Sequence, residues 1–441
     1  MQLEDMILIS VDDHLIEPPD TFRHISARFK DRAPRVTRVN GKDAWLFEGR
    51  TFKTGGLNSV AGRPKEEFGM EPTSYDEMRP GCYDIHKRID DMNVDGVLAS
   101  ICFPSLVKFA GSFFHDAEDK QLSLAALRAY NDWHILDWCG AYPGRFVPLC
   151  MLPLWDVQLA VEEVKRVVAQ GVHAVGFPDN PALKGLPSLH SDAWDPLFKV
   201  CADNQVVLNC HIGTGASAAH PSDDSPIDAW ITAMPISIAN SAADWIYAPA
   251  FQKFPGLRMA LSEGGIGWIP YLLERADFTT EHHSAWTRTR LGGKKPSEVF
   301  KEHIITCFID DEFGLRNLDS IGEDMVTWEA DYPHSDCVWP LAPEYLWRTV
   351  EHLPKATIDK ITHLNVMREF SFDPFNTLGR ENCTVGALRS KAAHVDTAPL
   401  VGLGGAKPIG DPNARVTSRD VKRMFAAVGE HAVGATTELG A

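Results

Sequence analysis

Residues 145–177 read RFVPLCMLPLWDVQLAVEEVKRVVAQGVHAVGF. The stretch opens on a short apolar, β-rich run, Arg145 to Leu152, and closes on another, Val172 to Phe177. Between them Asp156 stands at a helix N-cap, a position that favours side chains able to accept the free N–H groups of a first turn. Val157, Ala160, Val161, Val164 and Val168 follow on one helical face. Strand and helix at this spacing make a βα unit of the kind that repeats around a parallel sheet.

The same alternation runs through most of the chain. The other strand candidates are Met6 to Val11, Gly96 to Phe103, Gln205 to Cys210, Leu257 to Leu261, His303 to Phe308 and Met325 to Ala330. Most are near-continuous apolar runs, as strands covered on both faces require. Helical periodicity marks Leu122 to Trp138, through Leu124, Leu127, Ile135 and Trp138, and Thr357 to Phe370, through Ile358, Ile361, Leu364 and Met367. Eight strands with intervening helices predict an α/β fold, a (β/α)8 TIM barrel over residues 1–378. Residues from about 29 to 83 hold turn signals at Asn40-Gly41 and Gly55-Gly56 and little helical period, which predicts a small β-containing insertion after strand one. Gly, Ala, Pro and Thr accumulate in a C-terminal extension, 379–441, expected to be an arm in which only Ser418 to Val428 is helical.

Composition narrows the function. The 441 residues carry 43 Lys and Arg against 60 Asp and Glu, a net charge of −17, which disfavours nucleic-acid and anionic-membrane surfaces. At 44% hydrophobic residues there is ample material for a core. The longest stretch free of charged residues, between Asp203 and Asp223, is broken by Asn209, His211, Ser217, His220 and Pro221, so no membrane span is expected. The acidic start, Met1 to Asp5, is unlike an export signal. Nine cysteines, an odd number without a CxxC pair, read as reduced core thiols of a cytoplasmic protein.

Chemistry gathers where strands end. Asp12 and His14, two apart on strand one, share a face and can both reach the barrel mouth. His211 follows strand five, and Asp331, with His334 three residues on, follows strand eight. Three strands thus bring N and O donors to the rim on which barrel active sites are built, a set that suits zinc, manganese or iron.

With Ser262-Glu263-Gly264-Gly265 after strand six and Asp331-Tyr332-Pro333 after strand eight, the chain resembles the amidohydrolase superfamily over roughly residues 6–375. The likeness is to the branch of aminocarboxymuconate-semialdehyde and resorcylate decarboxylases. It implies one divalent metal ion held by Asp12, His14, His211 and Asp331, with zinc expected and manganese or iron as alternatives. The two-metal members carry a carboxylated lysine after strand four. Here that strand ends Val175-Gly176-Phe177-Pro178-Asp179, and Lys184 is poorly placed to bridge.

One departure stands out: the branch's strand-six histidine is replaced by Glu263. This acid could shuttle protons, orient a ligand, or be a buried structural acid paired with an arginine; His334 is the alternative shuttle. Trp133, Trp268, Trp328 and Trp339 are candidates to wall a flat substrate. By the resemblance Arg35, Arg38, Arg50 or Arg63 would bind a substrate carboxylate, with Arg50 and Arg63 carried forward. The expected activity is hydrolysis of a small carboxylated, cyclic or aromatic metabolite. Metal-bound water would lose its proton to Asp331, and Glu263 or His334 would protonate the leaving group. Non-oxidative decarboxylation at the same site is the alternative, and a barrel that only binds is a third reading. The partners expected are a small-molecule substrate and a second copy of the chain, as homodimer or higher homo-oligomer.

Overall fold

The computed structural model describes residues 1–69, 73–215, 220–402 and 414–428. Strand β1 (Ile9–Leu15) is followed by an antiparallel sheet of β2 (Arg35–Val39), β3 (Lys42–Phe47) and β4 (Arg50–Phe52). Then come β5 (Ala99–Pro104), β6 (Leu149–Cys150), β7 (Ala174–Gly176), β8 (Val207–His211), β9 (Arg258–Ser262), β10 (Ile304–Phe308) and β11 (Val326–Trp328). The eight strands other than β2–β4 pair in parallel in the order β5-β1-β11-β10-β9-β8-β7-β6. A single parallel bridge, Ser100 to Phe146, spans the remaining seam, so the sheet closes as a (β/α)8 barrel.

All eight expected strands are present, several of them shorter than their apolar runs. Arg145 to Leu152 keeps only Leu149–Cys150 as a strand, apart from the bridge at Phe146, because Pro148 between them has no N–H to give. β1 instead extends past its apolar run through Asp12, Asp13 and His14 to Leu15, pairing with β5 along the way. Helices cover the outside. Asp156 caps Val157–Val168, its Oδ1 accepting from Gln158 and Leu159 N–H, and Ala160, Val164 and Val167 are buried below it. The helix expected at 122–138 is Lys120–Trp133 running into a π turn, His134–Cys139, and that expected at 357–370 is likewise interrupted by a π turn, Lys360–Leu364. Apolar periodicity does not register a single widened turn.

The insertion is the three-stranded sheet. Asn40 and Gly41, at φ 54° and 79°, turn its first hairpin; the second turns on Glu48 and Gly49, at φ 47° and 75°. Gly55-Gly56 instead leads into a short 3-10 turn, Gly56–Ser59. The C-terminal extension departs from the expected arm. Helix Val385–Arg389 buries Val385 and Leu388, Val385 N–H donates to Met6 O, and Arg389 pairs with Glu344. Ser418–Val428 is helical as expected, its start joined to the segment before helix Ile227–Tyr247 by Ile227 N–H to Val416 O and Ser418 N–H to Ser225 O. The rest of the extension, 403–413 and 429–441, lies outside the described residues. No helix among the described residues is long and apolar enough to cross a membrane. The nine cysteines are free, and all but Cys337 are buried.

Buried Asp95 accepts Ala342 N–H at 2.9 Å, and burial pushes its carboxyl up to about 7. The protonated form is therefore favoured by the fold, and its contribution is full below the ordinary carboxylate pKa and lost as pH rises through 7. Asp95→Asn is expected to lose less stability than the wild type between pH 5 and 8, by roughly 2–4 kcal/mol in denaturant melts. Parallel pH profiles for the two proteins would count against it.

Candidate metal centre

The barrel mouth is shaped first by an irregularity in β1. Ser10 pairs with Ser100, yet Asp13 pairs with Cys102, so β1 carries one residue more than β5 between these pairings. The bulge shifts the alternation: Ser10 Oγ–H reaches Asp13 Oδ1 at 2.8 Å, although residues three apart on a regular strand face opposite ways. Asp13 is thereby occupied with Ser10 and Tyr332 N–H. Asp12 and His14 are left to turn together into the mouth. Asp331 is locked beside them, its N–H donating to Asp12 O at 2.9 Å.

There the expected donors meet. His14 Nε2 lies 3.0 Å from Asp331 Oδ1 and 3.9 Å from Asp12 Oδ1; His211 Nε2 lies 3.5 Å from Asp12 Oδ2 and 3.0 Å from Glu263 Oε2. His334 Nδ1 is 2.9 Å from Asp331 Oδ2 and 3.5 Å from Glu263 Oε1, on the more open side of the cluster. Asp12, His14 and His211 offer ligand atoms within 4.8 Å of one another, and so do His14, Glu263 and His334.

Both Asp12 oxygens, both His14 nitrogens, His211 Nε2 and Asp331 Oδ1 are buried without a hydrogen-bond partner. Buried polar groups left unpaired are costly, on the order of 1–3 kcal/mol each and more when charged. A shared cation would satisfy most of these at once, and the donor set fits one. His211 Nδ1 donates to Ile212 O at 2.7 Å, which fixes the tautomer that turns Nε2 toward the cluster.

Electrostatics agree with a cation-seeking site. Burial, reinforced by Glu329, Asp331 and Glu263, pushes the Asp12 carboxyl well up. Burial would also raise Asp331, but charged His334 beside it, with His14 close by, holds it below the usual carboxylate range. Burial would lower His334, but Asp331 and Glu263 lift it to about 10. Asp331 and Glu263 each sit in the left-handed backbone region, at φ 55° and 60°, uncommon for residues with a Cβ and found disproportionately at functional sites.

The other expected residues fare differently. Trp268 hydrogen-bonds Gly264 O at 2.8 Å and packs edge-on against Phe300, bracing the turn that carries Glu263. Trp133 and Trp328 are core, and Trp339 is buried with its N–H on Asp91 O. The contacts described for Arg50 and Arg63 lie away from the donors: Arg50 reaches Asp116 O and Glu48 over Phe52, and Arg63 reaches Glu77 O. Their expected role on a substrate carboxylate gains no support from these contacts. Glu263 pairs with histidines, which corrects the arginine-paired reading. Lys184 ends a 3-10 turn after β7 and belongs to neither donor group.

Three residues were missed. Phe109, in the loop after β5, lies tilted against both imidazoles, its ring centroid 4.0 Å from that of His211 and 5.0 Å from that of His14, and nothing in its loop marks it. Phe103 packs edge-on against His211. Glu329, 1% exposed, accepts Cys307 S–H at 2.6 Å and Glu263 N–H at 3.2 Å; its place two residues before Asp331, hence on one face with it, was the available signal.

The sequence model of the amidohydrolase family matches residues 20–372. The chain belongs to the amidohydrolase family. Asp12 and His14 precede the matched span, so the donors on β1 are seen from the geometry. Within the family the chain falls in the branch like aminocarboxymuconate-semialdehyde decarboxylase. It is 24% identical to 2-amino-3-carboxymuconate-6-semialdehyde decarboxylase from Dictyostelium discoideum over 322 residues, covering 70% of this chain and 83% of that protein. An amidohydrolase from Mycobacterium avium subsp. paratuberculosis superposes with a TM-score of 0.61 at 20% identity, covering 82% of this chain and 98% of the other. A 5-carboxyvanillate decarboxylase from Novosphingobium aromaticivorans, solved with bound manganese, gives 0.58 at 16% identity, covering 84% and 99%. The chain is an enzyme of the metal-dependent hydrolase or carboxy-lyase type.

Proposed function

We propose that this chain is a metal-dependent, non-oxidative decarboxylase of a small aromatic or unsaturated carboxylic acid. The observation that carries the reading is His334, an imidazole held between Asp331 and Glu263 on the open side of the donor cluster. Asp12, His14, His211 and Asp331 would hold a divalent ion, which when bound chelates the acid and stabilises negative charge developing on it. Held in the charged form by Asp331 and Glu263, His334 keeps Nδ1–H on Asp331 and has a second proton, on Nε2, to deliver. That proton goes to the carbon bearing the carboxylate. The bond to the carboxylate then breaks, its electron pair stays with the carbon framework, and carbon dioxide leaves. Phe103 and Phe109 give the site flat, water-excluding walls suited to a conjugated ring or chain.

Hydrolysis asks for the reverse, a base that takes a proton from water. Asp331, the base expected for it, is already engaged by His334. The decarboxylases among the relatives also favour the carboxy-lyase reading. The test is to reconstitute the chain with divalent metal and supply hydroxylated benzoates and unsaturated amino-dicarboxylates, with lactones alongside. Carbon dioxide is expected from at least one acid, and in deuterium oxide the product should carry one deuterium at the carbon that lost it. Ring opening of a lactone without released carbon dioxide from any acid would replace this reading with hydrolysis.

A further inference from the structure

We infer that Glu263 is itself a ligand of the ion, which gives the centre three carboxylates and two imidazoles. The inference rests on the metal-dependent reading above and goes beyond the four-residue donor set. It begins at His211, whose Nδ1 donates to Ile212 O and whose Nε2 is thereby turned toward the cluster. Glu263 Oε2 lies 3.0 Å from that nitrogen and Asp12 Oδ2 3.5 Å, yet Nε2 has no hydrogen-bond partner. A ring nitrogen and two carboxylate oxygens brought this close in a buried site, with no hydrogen bond between them, are arranged as donors around a cation. Donors on neighbouring positions of one ion, bound at about 2.1 Å, stand roughly 3.0–3.4 Å apart. The spacing of Glu263 from His211 matches that of Asp331 from His14, also 3.0 Å.

Glu263 is held to this aim from below. Its left-handed backbone turns the side chain inward, and its N–H is anchored on Glu329 Oε2, which also takes the Cys307 S–H. Glu329 is therefore a positioning residue, buried under the cluster and fixing the turn. At the end of β9 the chain thus offers the centre a hard oxygen donor. Three carboxylates with two imidazoles suit a five- or six-coordinate ion such as Mn²⁺ or Fe²⁺ better than four-coordinate Zn²⁺.

The experiment titrates Mn²⁺ into the metal-free full-length chain, following free Mn²⁺ by electron paramagnetic resonance and bound water by proton relaxation, with Zn²⁺ as competitor. In Glu263→Gln, Mn²⁺ affinity is expected to fall about tenfold or more, with about one more water on the bound ion and a smaller loss for Zn²⁺. Glu263→Asp, which keeps the carboxylate, should retain more Mn²⁺ than Glu263→Gln, and melting of the metal-free variants checks their folding. If the wild type binds Mn²⁺ and Glu263→Gln binds it with unchanged affinity and hydration, the ligand assignment is overturned while the metal-dependent reading stands. If the wild type binds neither ion, both fall.

Discussion

His211→Ala is expected to purify with almost no divalent metal and to lose turnover with it. His211 ends β8 with its tautomer fixed by Ile212 O, and Nε2 is the donor facing both Asp12 and Glu263. Losing even an outer partner of a metal ligand costs ~10–100-fold in affinity, so losing the ligand itself should cost on the order of 100-fold or more. The fold should survive, because the imidazole's ring contacts with Phe103 and Phe109 are worth only ~0.5–1.5 kcal/mol each. Melting with and without a chelator separates the two effects. The wild type should lose stability on chelation, by ~2.7 kcal/mol if the ion was present at 100 times its Kd, whereas the variant should melt at one temperature in both buffers. Full metal stoichiometry in His211→Ala would remove it from the ligand set.

His334→Asn should give the complementary result, metal retained and turnover lost. The amide can still hydrogen-bond Asp331 Oδ2 but has no proton to deliver, and losing a general acid costs ~10²–10⁴-fold in rate. The fall should lie in kcat, with KM little changed, since the residue is assigned to the chemical step. Single-turnover release of carbon dioxide would separate the step from product departure. A variant that decarboxylates at the wild-type rate would move the proton source elsewhere.

Much of this was legible in the sequence because it depends on local rules. Parallel strands buried on both faces announce themselves as apolar runs, and Asp156 marks its helix start by chemistry alone. Asp12, His14, His211 and Asp331 could be named because strand ends of a barrel share a rim. What stayed hidden depends on pairing between distant segments. The bulge in β1 exists only relative to β5, and Phe109 matters only because its loop folds over His211. Glu263 could be noticed but not assigned, because its direction follows from a left-handed backbone anchored on Glu329, beyond β11. The packed helix Val385–Arg389 is hidden in the sequence because five residues are too few to show a period, although Met6 and Glu344 hold it.

In the barrel β1 lies between β5 and β11, so the earliest and latest strands to leave the ribosome are neighbours. Asp12 and His14 emerge first but wait for Asp331 until nearly the whole barrel has been translated. An ion held by these residues would therefore load only at the last stage of biosynthesis, and would tie the two ends of the barrel sequence together.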